Sequence, residues 1–162
     1  MARELRRTII AVLLGVALFL GSYLVLDLGP LSDPERAELF EYSVAAPVIL
    51  DLCAERSPGD PATFRQASAV AAGVLRPARD RSAAGLIAVP PGTTLVSELD
   101  RLAPEMAARV RTTLGDGLGP AQWQRVCGDM LADFRSAEAG WAQLQQKFPR
   151  QLRKLDLARP PG

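Results

Sequence analysis

Residues 120–155 read PAQWQRVCGDMLADFRSAEAGWAQLQQKFPRQLRKL, with a nonpolar residue at regular intervals of four and three. The recurring positions are Trp123, Cys127, Met130, Phe134, Ala137, Trp141, Leu144, Phe148, Leu152 and Leu155. An α-helix turns once in about 3.6 residues, so these side chains would share one face of a helix. The stretch therefore predicts a long C-terminal helix, and Pro149 is expected to bend it near its end.

The segment after residue 31 predicts another helix. Ser32 with Glu35 three positions later has the pattern of a capping box, and Pro34 suits a first helical turn. The helix is expected to kink at Pro47 and to end at residues 57–59. Its predicted apolar face consists of residues spaced four apart, namely Phe40, Val44, Val48 and Leu52.

Two further helices are predicted between these segments. One starts at Asp60 and is expected to close at Pro77, with a short helix and a turn over residues 78–92. The other crosses Pro104, either as one kinked helix or as two nearly collinear ones. Its apolar positions are Leu95, Leu99, Leu102, Met106, Val110 and Leu114. No stretch alternates with a period of two, so the prediction is an all-α fold with a compact bundle of four to six helices.

Residues 8–26 contain no charged side chain. As a helix with a rise of about 1.5 Å per residue they would span about 28 Å, close to the ~30 Å hydrocarbon core of a bilayer. A cleaved signal has a shorter apolar core and a small-x-small site, and residues 23–27 offer no such site. An uncleaved transmembrane anchor is therefore favoured over a cleaved signal or a buried soluble helix.

The charges on either side of residues 8–26 predict the orientation. Arg3, Arg6 and Arg7 precede the stretch, whereas mainly acidic residues follow it. The positive-inside rule then gives a cytoplasmic N-terminus over residues 1–7 and an extracytoplasmic domain over 27–157. Residues 158–162 are separately predicted to form a disordered tail. Arginine supplies all but two of the 19 basic residues, a composition that favours a bacterial chain, with its domain in the periplasm.

Cys53 and Cys127 are the two cysteines of the chain. They are too far apart for a CxxC motif, and two cysteines alone do not make a structural zinc site. In an oxidising compartment they predict a disulfide, worth about 4–5 kcal/mol in the chain-entropy model for so long a loop. Two buried free thiols are the alternative.

The composition argues against most enzyme classes. The chain has no histidine, which removes the commonest general base and the commonest metal ligand. We therefore expect no enzyme activity, no cofactor and no metal site. The net charge of +1 also gives no reason to expect nucleic-acid binding. Asp129 and Asp133 lie four residues apart and are the best candidates for carboxylate chemistry, but a solvated charged face explains them as well.

The end of the last predicted helix combines apolar and basic residues. We predict contacts with a partner or with lipid headgroups here, through Trp141, Leu144, Lys147, Phe148, Arg150, Leu152, Arg153 and Lys154. Each half of this set has a structural alternative. The aromatic stripe that includes Trp141 and Phe148 would also suit core packing, and the cations would also suit a helix C-terminus.

These features predict a non-catalytic accessory or interaction subunit, anchored in the inner membrane as part of an integral membrane protein complex. Its expected partners are membrane lipid and that complex. The alternative is a periplasmic binding module, such as an inhibitor, an immunity protein or a chaperone-like protein, either anchored or released by signal cleavage.

Overall fold

The computed structural model describes residues 29–115 and 117–157 of the chain. These residues form six α-helices and no strand, which confirms the all-α prediction for the described part. The helices are α1 (Asp33–Arg56), α2 (Pro61–Ala83), α3 (Leu95–Gly115), α4 (Pro120–Asp133), α5 (Ala137–Lys147) and α6 (Pro149–Lys154). The chain divides into two compact units, residues 1–31 and 32–162. All six helices belong to the second unit, called the helical domain below.

No helix among the described residues is both long and apolar enough to cross a membrane. The predicted anchor over residues 8–26, the cytoplasmic residues 1–7 and the predicted tail over 158–162 lie outside the described residues.

Helix α1 is the central element of the helical domain, since α2, α3, α4 and α6 all pack against it. It carries apolar residues on more than one face, and a helix of this kind must be covered on several sides. Its buried residues include Leu39, Ala46, Leu50, Leu52 and Cys53. The predicted apolar face was therefore only partly right, because Phe40, Val44 and Val48 are half-buried.

The predicted helix starts are confirmed at Ser32 and Asp60. Glu35 Oε2 accepts hydrogen bonds from the backbone N–H of Ser32 at 2.9 Å and from its hydroxyl at 2.8 Å. The carboxylate of Asp60 accepts from the backbone N–H groups of Ala62 and Thr63. These bonds to the ionised form hold the pKa of both carboxyls below their ordinary values. Helix α1 ends at Arg56, with Ser57 as its C-cap, as predicted.

Prolines lie inside three helices, and one of them overturns a prediction. The prediction that Pro77 closes the second helix is wrong, because α2 continues to Ala83. A proline inside a helix costs about 3 kcal/mol. Beyond Pro77 the helix buries Ala78, Ser82 and Ala83, and the Ser82 hydroxyl donates to the Ala78 carbonyl at 2.7 Å. Packing of this last turn against the core offsets the cost.

Pro104 lies within a single helix, α3, as one of the two alternatives had it. Pro47 lies within α1. The Ser68 hydroxyl of α2 donates to the Pro47 carbonyl at 3.1 Å and so links the two helices at this position.

The prediction of one long C-terminal helix is wrong, because the stretch forms α4, α5 and α6. The first break follows Asp133, and the Ser136 hydroxyl then caps α5 by accepting from the Ala139 N–H at 3.1 Å. The second break is at Phe148, whose φ of −127° and ψ of 47° are not helical. Most of the predicted stripe is still buried, namely Trp123, Cys127, Phe134, Trp141, Leu144, Phe148, Leu152 and Leu155.

The first break is fixed by packing of Phe134 against Gly140. Phe134 is fully buried, and a Cβ atom added to Gly140 would lie 2.9 Å from its Cδ1 atom and 3.2 Å from its Cε1 atom. Only a glycine lets the ring lie this close to α5. The close packing of the ring on Gly140 therefore holds the start of α5 against the end of α4.

The predicted disulfide is present between Cys53 of α1 and Cys127 of α4. Their Cα atoms are 5.6 Å apart, and 74 residues separate them in sequence. Both side chains are buried. The bond ties the central helix to the beginning of the C-terminal segment, which then returns along the other side of the domain.

We predict that Gly140→Ala lowers the free energy of unfolding by about 1 kcal/mol. Overpacking against Phe134 costs about 1–3 kcal/mol, and the better helix propensity of alanine returns up to ~1 kcal/mol. Urea unfolding in micelles, followed by the fluorescence of Trp123 and Trp141, measures the change.

Gly128→Ala is the matched control, because Gly128 lies inside α4 with no atom within 4 Å of an added Cβ. This variant should gain about 0.5–1 kcal/mol from helix propensity alone. Equal stabilisation of the two variants would contradict the packing argument.

Candidate functional site

The four apolar residues of the predicted contact surface lie in the core of the helical domain. Trp141, Leu144, Phe148 and Leu152 are all buried. Their burial agrees with the alternative given above for the aromatic stripe, namely core packing. The apolar half of the predicted set is therefore not at the surface, although the edge of Trp141 lines a groove of about 540 Å³ between α2 and α5.

The four cations of the predicted set are at the surface or half-buried. Arg150 makes an ion pair with Glu35 at 3.3 Å, and Lys154 is close enough to contribute to the lowered pKa of the Glu35 carboxyl. The Arg81 guanidinium of α2 donates to the Leu155 carbonyl at 2.6 Å. These contacts place the C-terminal helix α6 at the end of the domain where α1 begins.

Charged side chains also lie around Tyr42 of α1. The Lys147 ammonium lies 4.3 Å from the centre of the Tyr42 ring, and the Phe148 ring centre is 5.2 Å away. The Tyr42 hydroxyl is buried and has no hydrogen-bond partner among the described residues. Burial, followed by the charge of Asp133, raises the Tyr42 pKa to about 12. Tyr42 is therefore neutral throughout the physiological range.

The candidate carboxylates Asp129 and Asp133 do not form an enclosed pair. Asp129 is exposed and Asp133 is half-buried at the end of α4. Burial and then the charge of Asp129 raise the pKa of the Asp133 carboxyl, while Lys147 opposes the rise. The described residues hold no group of three or more His, Cys, Asp or Glu side chains that could bind a metal ion. No reaction is assigned to Asp129 and Asp133.

An apolar groove runs between α1 and α3. Its volume is about 490 Å³, and we call it the α1–α3 groove. Its apolar lining consists mainly of half-buried residues, namely Phe40, Val44, Met106, Val110 and Leu114. The groove is lined by residues 37–45 of α1 and by residues 106–114 of α3.

The groove continues into a smaller space beside Pro47, which we call the Pro47 hollow. Its volume is about 190 Å³, and it shares Val44 and Met106 with the groove. Helices α1, α2 and α3 all contribute to its walls. The lining residues are Ser43, Val44, Pro47, Val48, Ala72, Arg76, Arg79, Leu99, Ala103, Met106 and Ala107.

The sequence located both apolar stripes of this groove but not their exposure. Phe40, Val44 and Val48, together with Leu52, form the predicted apolar face of α1, and the stripe from Leu95 to Leu114 forms the predicted apolar face of α3. In α3 only Leu99 of that stripe is buried. Periodicity identifies both stripes as apolar but holds no signal for which of them a neighbouring helix covers.

No family model matches the chain, and neither a curated protein nor a solved structure matches it significantly.

We predict that Asp133→Asn stabilises the helical domain at neutral pH. A carboxyl whose pKa is raised on folding holds its proton more tightly in the folded state, so its ionisation lowers the free energy of unfolding as the pH rises. The difference between variant and parent should vanish below the ordinary Asp pKa of about 3.9, where the carboxyl is protonated in both the folded and the unfolded state, and should grow towards pH 7. Urea midpoints at several pH values give the comparison.

Asp100→Asn serves as the control, since Asp100 is an exposed carboxylate on α3, away from the Tyr42 cluster. Its urea midpoint should differ from that of the parent by the same small amount at every pH. A pH-independent effect of Asp133→Asn would show that burial and Asp129 do not penalise the Asp133 charge.

Proposed function

We propose that the chain is a non-catalytic, membrane-anchored accessory or interaction subunit of a membrane protein complex. Residues 8–26 form its single transmembrane helix, residues 1–7 remain in the cytoplasm, and the helical domain lies on the periplasmic side. The observation that carries the proposal is the return of α6 to the start of α1, shown by the Arg150–Glu35 ion pair. The basic end of the chain thus lies at the end of the domain that leads to the apolar stretch.

Chain length limits how far this end of the domain can be from the membrane. Ser32 follows Leu26 by six positions, and six extended residues reach at most about 20 Å. An anchor over residues 8–26 therefore holds the start of α1 near the headgroups. Arg150, Arg153 and Lys154 of α6 are then held near the membrane as well.

The disulfide supports the proposed compartment. Such bonds persist in the periplasm and outside the cell, whereas cytosolic thiols are kept reduced. Both cysteines are buried and their Cα atoms are 5.6 Å apart, so the bond belongs to the folded domain. This agrees with the orientation expected from the arginines that precede the apolar stretch.

The proposed contact surface is formed by the cations of the predicted set. Lys147 and Arg153 are exposed, and Arg150 and Lys154 are half-buried. Asp33 and Glu38 are exposed on the first turns of α1, so this end of the domain carries charges of both signs. A mixed surface favours a protein partner with complementary charges over headgroup attraction alone. Contact with lipid is assigned chiefly to the anchor.

The alternative, a periplasmic binding module, is favoured by a different observation. The α1–α3 groove leaves apolar side chains half-exposed, and such a surface is typical of a binding site. An anchored subunit can also carry such a site, so the two proposals differ in whether the chain acts within a complex.

We predict that protease added to the outside of bacterial spheroplasts digests the helical domain, while inverted vesicles protect it. Thiol alkylation of the native chain should label neither cysteine until reductant is added, and both afterwards. A domain that is digested only in inverted vesicles, or free thiols in the native chain, would contradict the proposed compartment.

We predict that purification in mild detergent recovers the chain with a membrane protein in fixed stoichiometry. Reversing two exposed charges, with Lys147→Glu and Arg153→Glu together, should weaken this association at least about tenfold, because like charges would then face each other. Arg65→Glu is the matched control, since Arg65 is an exposed residue near the start of α2. Recovery of this chain alone, from both parent and control, would refute the proposal.

A further inference from the structure

The Pro47 hollow exists because small side chains surround it. Ser43, Ala72, Ala103 and Ala107 face the space from three different helices. None of them is long enough to reach across it, and the Ser43 hydroxyl is already used in a 2.7 Å hydrogen bond to the Leu39 carbonyl. The remaining walls are largely apolar and include Val44, Val48, Leu99 and Met106. The hollow therefore offers an apolar surface with little to bind water.

The volume of the hollow is large enough for part of an apolar ligand. An apolar cavity of ~150 Å³ in another protein stays dry and binds benzene. The Pro47 hollow, at about 190 Å³, is somewhat larger. It opens into the α1–α3 groove, and from Ala37 to Val48 the combined space follows α1 for about 16 Å. This shape suits a long, thin apolar chain, whereas a helix about 10 Å across is too thick to enter the hollow.

The charged residues that line the hollow differ from those that line the groove. Arg76 and Arg79 of α2 line the hollow. Arg79 is paired with Asp80 at 2.8 Å, but the exposed Arg76 makes no ion pair with a described carboxylate. The charged residues that line the groove are Glu41 and Arg109, and Arg109 is paired with Glu105 at 2.9 Å. The uncompensated charge is thus positive at the hollow and negative in the groove.

We infer that the Pro47 hollow and the α1–α3 groove bind a single-chain anionic amphiphile, a long-chain fatty acid or a lipid of the same form. The anionic head lies at Arg76, and the chain passes Val44 and Met106 towards Phe40 and Val110. Glu41, which lines the groove but not the hollow, repels an anionic head in the groove and so sets the direction of binding. This site is separate from the cations of α6 and does not depend on the orientation of the anchor.

Photolabelling of the full chain in phosphatidylcholine nanodiscs tests the site. The probe is a palmitate analogue with a diazirine at the end of its chain, and the labelled residues are mapped by mass spectrometry. Labels are expected on α1 and α3 along the groove. Palmitate should compete at least about tenfold better than hexadecanol, because the alcohol lacks the charge that Arg76 would bind.

Two pairs of variants separate the hollow and the charge from the rest of the surface. Ala103→Phe fills the hollow from its exposed side and should abolish labelling, whereas Ala108→Phe, also exposed on α3 but outside the lining, should not. Arg76→Glu should weaken labelling about tenfold or more, and Arg65→Glu on the same helix should leave it unchanged. Thermal unfolding of each variant confirms that it is folded.

Three results would overturn the inference. One is labelling that is spread over the whole domain and does not decrease in the Ala103→Phe variant. Another is equal competition by hexadecanol and palmitate, which would remove the anionic head from the assignment. The third is that the probe leaves the groove unlabelled while a chemical cross-linker joins groove residues to a membrane polypeptide. That result would assign the groove to a protein partner. The parent chain alone decides the second and third, so they stand even if a variant fails to fold.

Discussion

The burial of α1 on several sides is the constraint on which the rest of the domain depends. Its apolar residues are not confined to one stripe, so no single partner helix can cover them. Helices α2, α3, α4 and α6 all pack against it. The Cys53–Cys127 bond fixes α4 to its C-terminal end, and the Arg150–Glu35 pair lies at its N-terminal end. The C-terminal segment therefore travels the length of the central helix.

That path explains why the C-terminal stretch is broken. Phe134 and Phe148, at the two breaks, are among the most deeply buried side chains of the domain. The chain turns at Phe134 where its ring packs on Gly140, and again at Phe148 before Pro149 starts α6. Each turn keeps the apolar stripe facing inward as the segment bends around the core. The same turns carry the basic residues of α6 to the start of α1, where the proposed contact surface lies.

Helix α3 covers α1 less completely than the other long helix, α2. Its side chains towards α1 and α2 include Ala103 and Ala107, which leave the Pro47 hollow between the three helices. Farther along, Phe40 and Val44 of α1 and Val110 and Leu114 of α3 stay half-exposed. Filling this space with larger side chains would bury more apolar area and stabilise the domain. The open apolar space and the arginine at the hollow are the two features on which the inferred amphiphile site rests.

Local patterns in the sequence were sufficient for the features that depend on neighbouring residues. The periodicity of apolar side chains determined the all-α class, and the Ser32–Glu35 and Asp60 signals determined two helix starts, because each rests on contacts within one turn of helix. The cysteine pair followed from there being no other candidate partner. The second break in the C-terminal stretch, at Phe148, lies beside Pro149, where the sequence predicted a bend. Three other features were decided only by tertiary structure: the continuation of α2 past Pro77, the first break in the C-terminal stretch and the exposure of the groove. Each depends on how much apolar surface distant helices bury together, and no local spacing contains that information.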